Sequence, residues 1–173
     1  ELVANKLGVT AGTRLLDVGC GWGSMALVAA ERGAQVVGVT LSRRQLVEAR
    51  RRVDAAGLDD RIELRLEDYR DVDDGPFDAI SSIGMFEHVG ADQAANYFGT
   101  LWGLVRPGGR LLNHAISRPN PDAAAGVDPA SMIGRYVFPD AALHEVGTTV
   151  SDLARVGWEV RDVHSLREHY ART

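Results

Sequence analysis

The sequence predicts an α/β fold built on a doubly wound, mostly parallel sheet. Strand-like and helix-like segments alternate with short breaks, the pattern of repeated strand-helix-strand units. The first strand-like run ends in a glycine cluster that opens a helix, the arrangement of a ligand cradle at the carboxyl end of a parallel strand. With 173 residues the chain fits one domain, residues 1–173, with a substantial core.

Arg14 to Val18 is a short apolar run and reads as the first buried strand. Ser24 to Arg32 has helical composition and stops at Gly33, the expected residue past a helix end. Gln35 to Leu41, rich in valine, is the second strand. Ser42 and Gln45 form a capping-box pattern, and Leu46, Ala49, Val53 and Ala56 repeat at helical spacing until Gly57. Arg61 to Leu66 alternates polar and apolar residues, as suits a third strand nearer the sheet edge, and Phe77 to Ile83 reads as a fourth. Ala94, Phe98, Leu101 and Val105 mark a helix closed by Pro107-Gly108-Gly109, and Arg110 to Ile116 a fifth strand. Ser117 to Ala130 is rich in proline, alanine and glycine and reads as a long loop or lid. Thr149 to Val156 and Trp158 to Val163 predict one more helix and strand.

Composition narrows the function. Hydrophobic residues are 45% and charged residues 25%, values of a soluble globular domain. A formal charge of -5 argues against a nucleic-acid binder held by phosphate contacts. One cysteine, Cys20, allows neither an intramolecular disulfide nor a multi-cysteine metal site, and a reducing cytoplasm fits. No apolar run approaches a transmembrane span, and the start at Glu1 suggests an excised domain.

The first strand runs into Asp17-Val18-Gly19-Cys20-Gly21-Trp22-Gly23. Glycines at 19, 21 and 23 let backbone approach a ligand beside a helix start whose free N–H groups favour an anionic group. A dinucleotide loop has G-x-G-x-x-G; here the third glycine comes one residue early and Asp17 stands two residues before the first. This spacing favours S-adenosylmethionine over NAD. The second strand ends without an acid, so Thr40 and Gln45 are the groups able to bond a neutral ribose diol. Ser42 and Gln45 read equally as a helix cap and its partner. Asp68 and Tyr69, after the third strand, put an acceptor and a ring where an adenine would lie; a surface loop is the other reading.

Further along, Glu87-His88 follows the fourth strand and His114 lies on the fifth, so both reach the carboxyl edge of the sheet. By spacing either histidine is a candidate, and His114 reads alternatively as a buried, satisfied core residue. Without a close His-x-His or Cys pair, these groups do not make a convincing metal site. Tyr170, taken alone, reads as a surface tyrosine.

The segments LDVGCGWGS (16–24), GVTLS (38–42), EDYRD (67–71), SIGMFEHVG (82–90), PGGRLLNHAIS (107–117), RYVFPD (135–140) and LREHYART (166–173) resemble the cyclopropane fatty-acid synthase family, including the mycolic acid cyclopropane synthases. The resemblance implies a Rossmann-like class I methyltransferase fold, incomplete at both ends because the family's lid region and final strand lie outside this sequence. Where the family commonly has glycine and proline after FPD, this chain has Ala141, Ala142 and His144.

It also implies an S-adenosylmethionine-dependent C-methyltransferase that adds a methyl to the cis double bond of a lipid acyl chain and closes a cyclopropane. Some relatives leave a methyl branch or methylene instead. The expected partner is an unsaturated acyl lipid, a phospholipid at the inner membrane surface, met from the cytoplasm. Motif matching puts a bound bicarbonate base on Glu87, His114 and Tyr170, with Ile83 as a backbone contributor. Phe86, Tyr136 and Phe138 read either as lining of the acyl channel or as core packing. Two other readings share the glycine loop: a methyltransferase for a small amine or phenol, and a cofactor-binding domain without turnover.

Overall fold

The computed structural model describes residues 1–118, 130, 132, 135, 143–170 and 172. Strands β1 (Arg14–Val18), β2 (Gln35–Thr40), β3 (Ile62–Leu66), β4 (Phe77–Ile83) and β5 (Val105–His114) form one sheet in the order β3-β2-β1-β4-β5. All its pairings are parallel. The chain winds outward from β1 through β2 to β3, then crosses back to lay β4 on the other side of β1. That reversal makes the carboxyl ends of β1 and β4 the switch point where open α/β sheets bind ligands.

Helices α1 (Leu2–Leu7), α2 (Ser24–Glu31) and α3 (Arg43–Ala56) cover one face. There Ala4, Leu7, Ala26, Ala29, Leu46, Ala49 and Val53 meet Leu15, Val36 and Leu64 of the sheet. Helices α4 (Ala94–Leu104) and α5 (Val146–Val156) cover the other, where Tyr97, Phe98 and Leu101 pack on Leu16, Val37, Phe77 and Ile80. Phe77, Phe98 and Leu101 are fully buried, and side chains of this size contribute roughly 1.5–3 kcal/mol each. Residues 15–18 of β1 are all buried, as expected of a central parallel strand covered on both faces.

Local chemistry explains the boundaries. Ser42 accepts the Gln45 N–H at the start of α3, and Gly57, at φ 64°, closes it in the left-handed region. The third strand is at the sheet edge, in line with its alternating pattern.

Several elements differ from the sequence reading. β5 begins at Val105, so Pro107-Gly108-Gly109 is absorbed as an irregularity between Phe77 and Ala79 of β4 instead of separating helix from strand. α5 starts at Val146, three residues before the expected Thr149, because Glu145 caps it by accepting the Gly147 and Thr148 N–H groups. The strand expected over 158–163 does not form: the segment is extended and largely exposed, and no described strand lies alongside to complete a ladder. Ser117–Arg118 forms β6 and pairs in parallel with β7 (His144–Glu145), while residues 119–129 of the expected lid lie outside the described residues. A short α6 (Arg167–Tyr170) ends the described chain but for Arg172. Among the described residues no helix is long and apolar enough to cross a membrane.

Candidate active site

The glycine loop leaves β1 at the switch point. Gly19, Gly21 and Gly23 have φ of 70°, 54° and 77°, conformations that side chains with a Cβ rarely adopt. A Cβ on Gly23 would sit 3.3 Å from that of Ala49, so the third glycine also lets α2 and α3 approach. The loop is pinned to β2 by a 2.9 Å hydrogen bond from the Cys20 N–H to the Val39 carbonyl. The Arg52 side chain of α3 holds the Trp22 carbonyl at 2.6 Å. The result is a hollow of about 170 Å³ lined by Asp17, Gly19, Gly21, Trp22, Met25 and Ile83.

Asp17 is 2% exposed. Its Oδ1 accepts the Ser81 hydroxyl at 2.6 Å, whereas the equally buried Oδ2 has no hydrogen-bond partner. Burial raises the carboxyl pKa to about 6, against the lowering pull of the Ser81 bond. Burial, reinforced by Asp17, pushes the Cys20 thiol up to about 12, so this cysteine is inert at neutral pH.

At the end of β2 the Thr40 hydroxyl is held within the turn: it accepts the Ser42 N–H at 3.1 Å and donates to Gln45 Oε1 at 3.3 Å. Ser42 is the cap of α3, and only half of the capping box closes, through the Gln45 N–H donating to the Ser42 hydroxyl. Asp68 caps a short turn over Tyr69–Asp71 and holds Arg70 in a two-bond ion pair, which keeps its pKa below the usual carboxylate value. Tyr69 meets Tyr97 edge-on at 5.1 Å.

A second cluster stands at the ends of β4 and β5. The ladder sets Ile83 beside His114. Glu87 is 1% exposed in a single turn over Phe86–His88, while the adjacent His88 faces solvent. Glu87 Oε1 accepts the Ile116 N–H at 2.8 Å, and its buried Oε2 has no partner. The Tyr170 hydroxyl lies 3.2 Å from His114 Nε2 with the rings stacked, bringing together residues 56 positions apart. His114 Nδ1 is buried and unpartnered, as is Asn113 Oδ1. Phe86 takes the core-packing reading: it is 1% exposed, with His144 stacked on it at 4.1 Å and Tyr97 and Phe98 around it. Tyr136 and Phe138 lie outside the described residues.

Sequence reasoning missed Ser81, the Ile116 N–H and Asn113, because a serine in a strand, an amide and an asparagine beside a histidine carry no spacing signal. A larger concavity of about 370 Å³ lies at the opposite, amino edge of the sheet, beside Arg14, Arg61 and Asp74. Ion pairs from Asp74 to Arg14 and Arg65 brace that edge, and no residue of either cluster reaches it.

The chain is 47% identical over 99% of its length to a probable fatty acid methyltransferase of Pseudomonas putida, covering 44% of that protein. It is 36% identical over its whole length to cyclopropane-fatty-acyl-phospholipid synthase of Escherichia coli strain K12, covering 43% of it. The fold superposes with a TM-score of 0.82 on the crystal structure of mycolic acid cyclopropane synthase CmaA1 complexed with SAH and CTAB, at 29% identity over 99% of this chain and 63% of that one. The chain thus spans less than half the length of these two curated relatives. Matched along residues 1–173, it belongs to the mycolic acid cyclopropane synthetase family.

Proposed function

We propose that this chain is the S-adenosylmethionine-binding domain of an enzyme that alkylates a cis double bond of a lipid acyl chain and closes the product to a cyclopropane. The observation that carries this reading is the pairing of Ile83, in the wall of the glycine-loop hollow, with His114 of the second cluster. That pairing sets a methyl donor and a proton acceptor on neighbouring strands.

S-adenosylmethionine supplies an electrophilic methyl when bound. Gly19, Gly21 and Gly23 would admit it to the backbone, Asp17 would hold its cationic methionine end, and Gln45, Asp68 and Tyr69 would hold its ribose and adenine. An alkene is a weak nucleophile, so placement and exclusion of water carry much of the rate. With its bond to sulfur broken, the methyl would join one alkene carbon and leave a cation on the other. Ring closure then needs a proton removed from the added methyl.

The second cluster fits bicarbonate as the acceptor. Glu87 Oε2 is a buried acceptor that wants an O–H donor, and His114 Nδ1 is a buried nitrogen that wants a partner. With the Tyr170 phenol donating to Nε2, Nδ1 carries a hydrogen able to bond an anionic oxygen. Glu87 and His114 would hold the ion, with Tyr170 setting the histidine tautomer and the Ile116 N–H fixing the glutamate. Bicarbonate supplies a base that does not itself capture the cation.

The likeness to a fatty acid methyltransferase supports a second outcome, a methyl or methylene branch, from the same first step. The test is incubation of the whole enzyme containing this chain with methyl-labelled S-adenosylmethionine and unsaturated phospholipid vesicles. One added methylene with loss of the alkene and upfield cyclopropyl protons supports ring closure; one added methylene with an alkene retained supports branching. Label on a small amine and none on lipid refutes the reading.

A further inference from the structure

We propose that Ser81 is a positioning residue of the cofactor site, through which β4 sets the aim and the charge of Asp17 and makes capture of the cationic cofactor a proton-linked step. This rests on the reading that the hollow takes S-adenosylmethionine.

The geometry is specific. β1 and β4 pair Asp17 directly with Ser81, and the Ser81 side chain, itself fully buried, donates to Oδ1 at 2.6 Å. Fixing one oxygen leaves Oδ2 as the free acceptor of a residue that lines the hollow. A buried carboxylate without a cation is costly, and an ammonium group brought beside it favours the ionised form. The cofactor's methionine end carries such a group.

Among the described residues no charged neighbour replaces that role. On β2 the ladder partner of Asp17 is Gly38. In the loop the titratable neighbour is Cys20, whose thiol stays neutral. From α2, Met25 and Ala26 bring no charge, and Arg52 of α3 is held by the Trp22 carbonyl and Ser24. His114 shares the same face but stands on β5, beyond β4. The balance is therefore between burial, which raises the Asp17 pKa, and Ser81, which lowers it. Burial thus holds the Asp17 carboxyl pKa at about 6, and capture of a cation below that value would expel a proton.

The test uses S-adenosylhomocysteine, which keeps the ammonium group and has no group that titrates between pH 5 and about 7.5. Its affinity for the native chain should be level from pH 7.5 down to about 6.5 and then fall toward tenfold per unit, with proton release seen by calorimetry in buffers of different ionisation heat. Ser81→Ala should move the midpoint upward. For a shift of about one pH unit, the deficit against the native chain is about threefold at pH 6.5 and under twofold at pH 7.5. Ser81→Thr, which keeps the hydroxyl, should restore the native midpoint.

A loss in Ser81→Ala that is equal at every pH marks a merely structural serine and overturns the proposal. So does native affinity that is flat from pH 5 to 7.5. If Ser81→Ala does not fold, carbon NMR of Asp17 in the native chain decides: a carboxyl midpoint that does not drop on ligand binding refutes the linkage. No binding at any pH overturns the cofactor reading, and the proposal with it.

Discussion

Gly38 shows how closely the sheet seats the ligand loop. It lies on β2, and a Cβ there would stand 2.8 Å from Leu64 Cδ2, 3.1 Å from Cys20 Cβ and 3.3 Å from Cys20 Sγ. Leu64 offers a side-chain tip that can yield, but Cys20 is tied by its N–H to Val39. Gly38→Ala recovers about 0.5–1 kcal/mol of backbone entropy yet incurs about 1–3 kcal/mol of overpacking, so destabilisation wins. At roughly 2–4 °C per kcal/mol for a chain of this size, melting should fall by a few degrees. The displaced loop should weaken S-adenosylhomocysteine binding by about tenfold or more. Adding Leu64→Val makes room on one side only, so the double variant should regain part of the stability, with a coupling of about 0.5 kcal/mol or more, and little of the affinity. Thermal melts and titration calorimetry on the four proteins of the cycle measure both. Native melting and native affinity in Gly38→Ala would refute the close packing of β2 under the loop.

Gly21→Val has room, with only the Gly19 carbonyl at 3.9 Å, but forces a branched residue to φ 54°; it should cost about 1–3 kcal/mol by thermal melting and abolish cofactor binding by calorimetry. Glu87→Gln keeps an oxygen for the Ile116 N–H, so cofactor affinity should stay within about twofold while turnover on lipid drops by about 10² to 10⁴; parallel loss of both would move Glu87 to the fold. His114→Ala and Tyr170→Phe should combine less than additively in turnover, since they meet at 3.2 Å and would act on one ion in the proposed cluster. Because the Asp17 pKa is raised to about 6 from 3.8, the neutral form is favoured in the fold, and its stabilising effect is full below about pH 4 and lost as pH rises through 6. Asp17→Asn should remove that pH dependence in urea titrations, gain up to roughly 3 kcal/mol at pH 7, and forfeit cofactor affinity.

The sequence makes visible what depends on local order. β4 is found at its expected bounds, and Ser42 and Gly57 bracket α3 as their chemistry requires, because capping and apolar period act within a few residues. The glycine loop is equally legible, since positive φ at Gly19, Gly21 and Gly23 demands that residue type. Two kinds of feature were hidden. One is the strand whose existence depends on a partner: residues 158–163 alternate suitably, but a ladder needs a second strand. The other is contact across the sheet. That Ser81 meets Asp17 follows from strand order and register, and that the Ile116 N–H supports Glu87 from how the segments beyond β4 and β5 meet, which no spacing along the chain encodes; the meeting of Tyr170 with His114 was implied by the family resemblance alone.

The two clusters share one physical signature. Asp17 Oδ2, Glu87 Oε2, Asn113 Oδ1 and His114 Nδ1 are buried without partners, and they stand at or just beyond the carboxyl ends of β1, β4 and β5. A buried polar group left unsatisfied costs about 1–3 kcal/mol, so a chain selected for stability alone would have apolar side chains in these places. The apolar layers on both faces of the sheet offset that cost while holding each group's backbone in a rigid strand or the turn that follows it. A ligand that supplies the missing partners recovers the desolvation cost already met on folding, and so binds with more of its interaction energy intact. On the proposed reading, Asp17 Oδ2 would meet a cation, Glu87 Oε2 an O–H donor and His114 Nδ1 an oxygen, so the groups that weaken the empty domain would be the ones that bond each ligand.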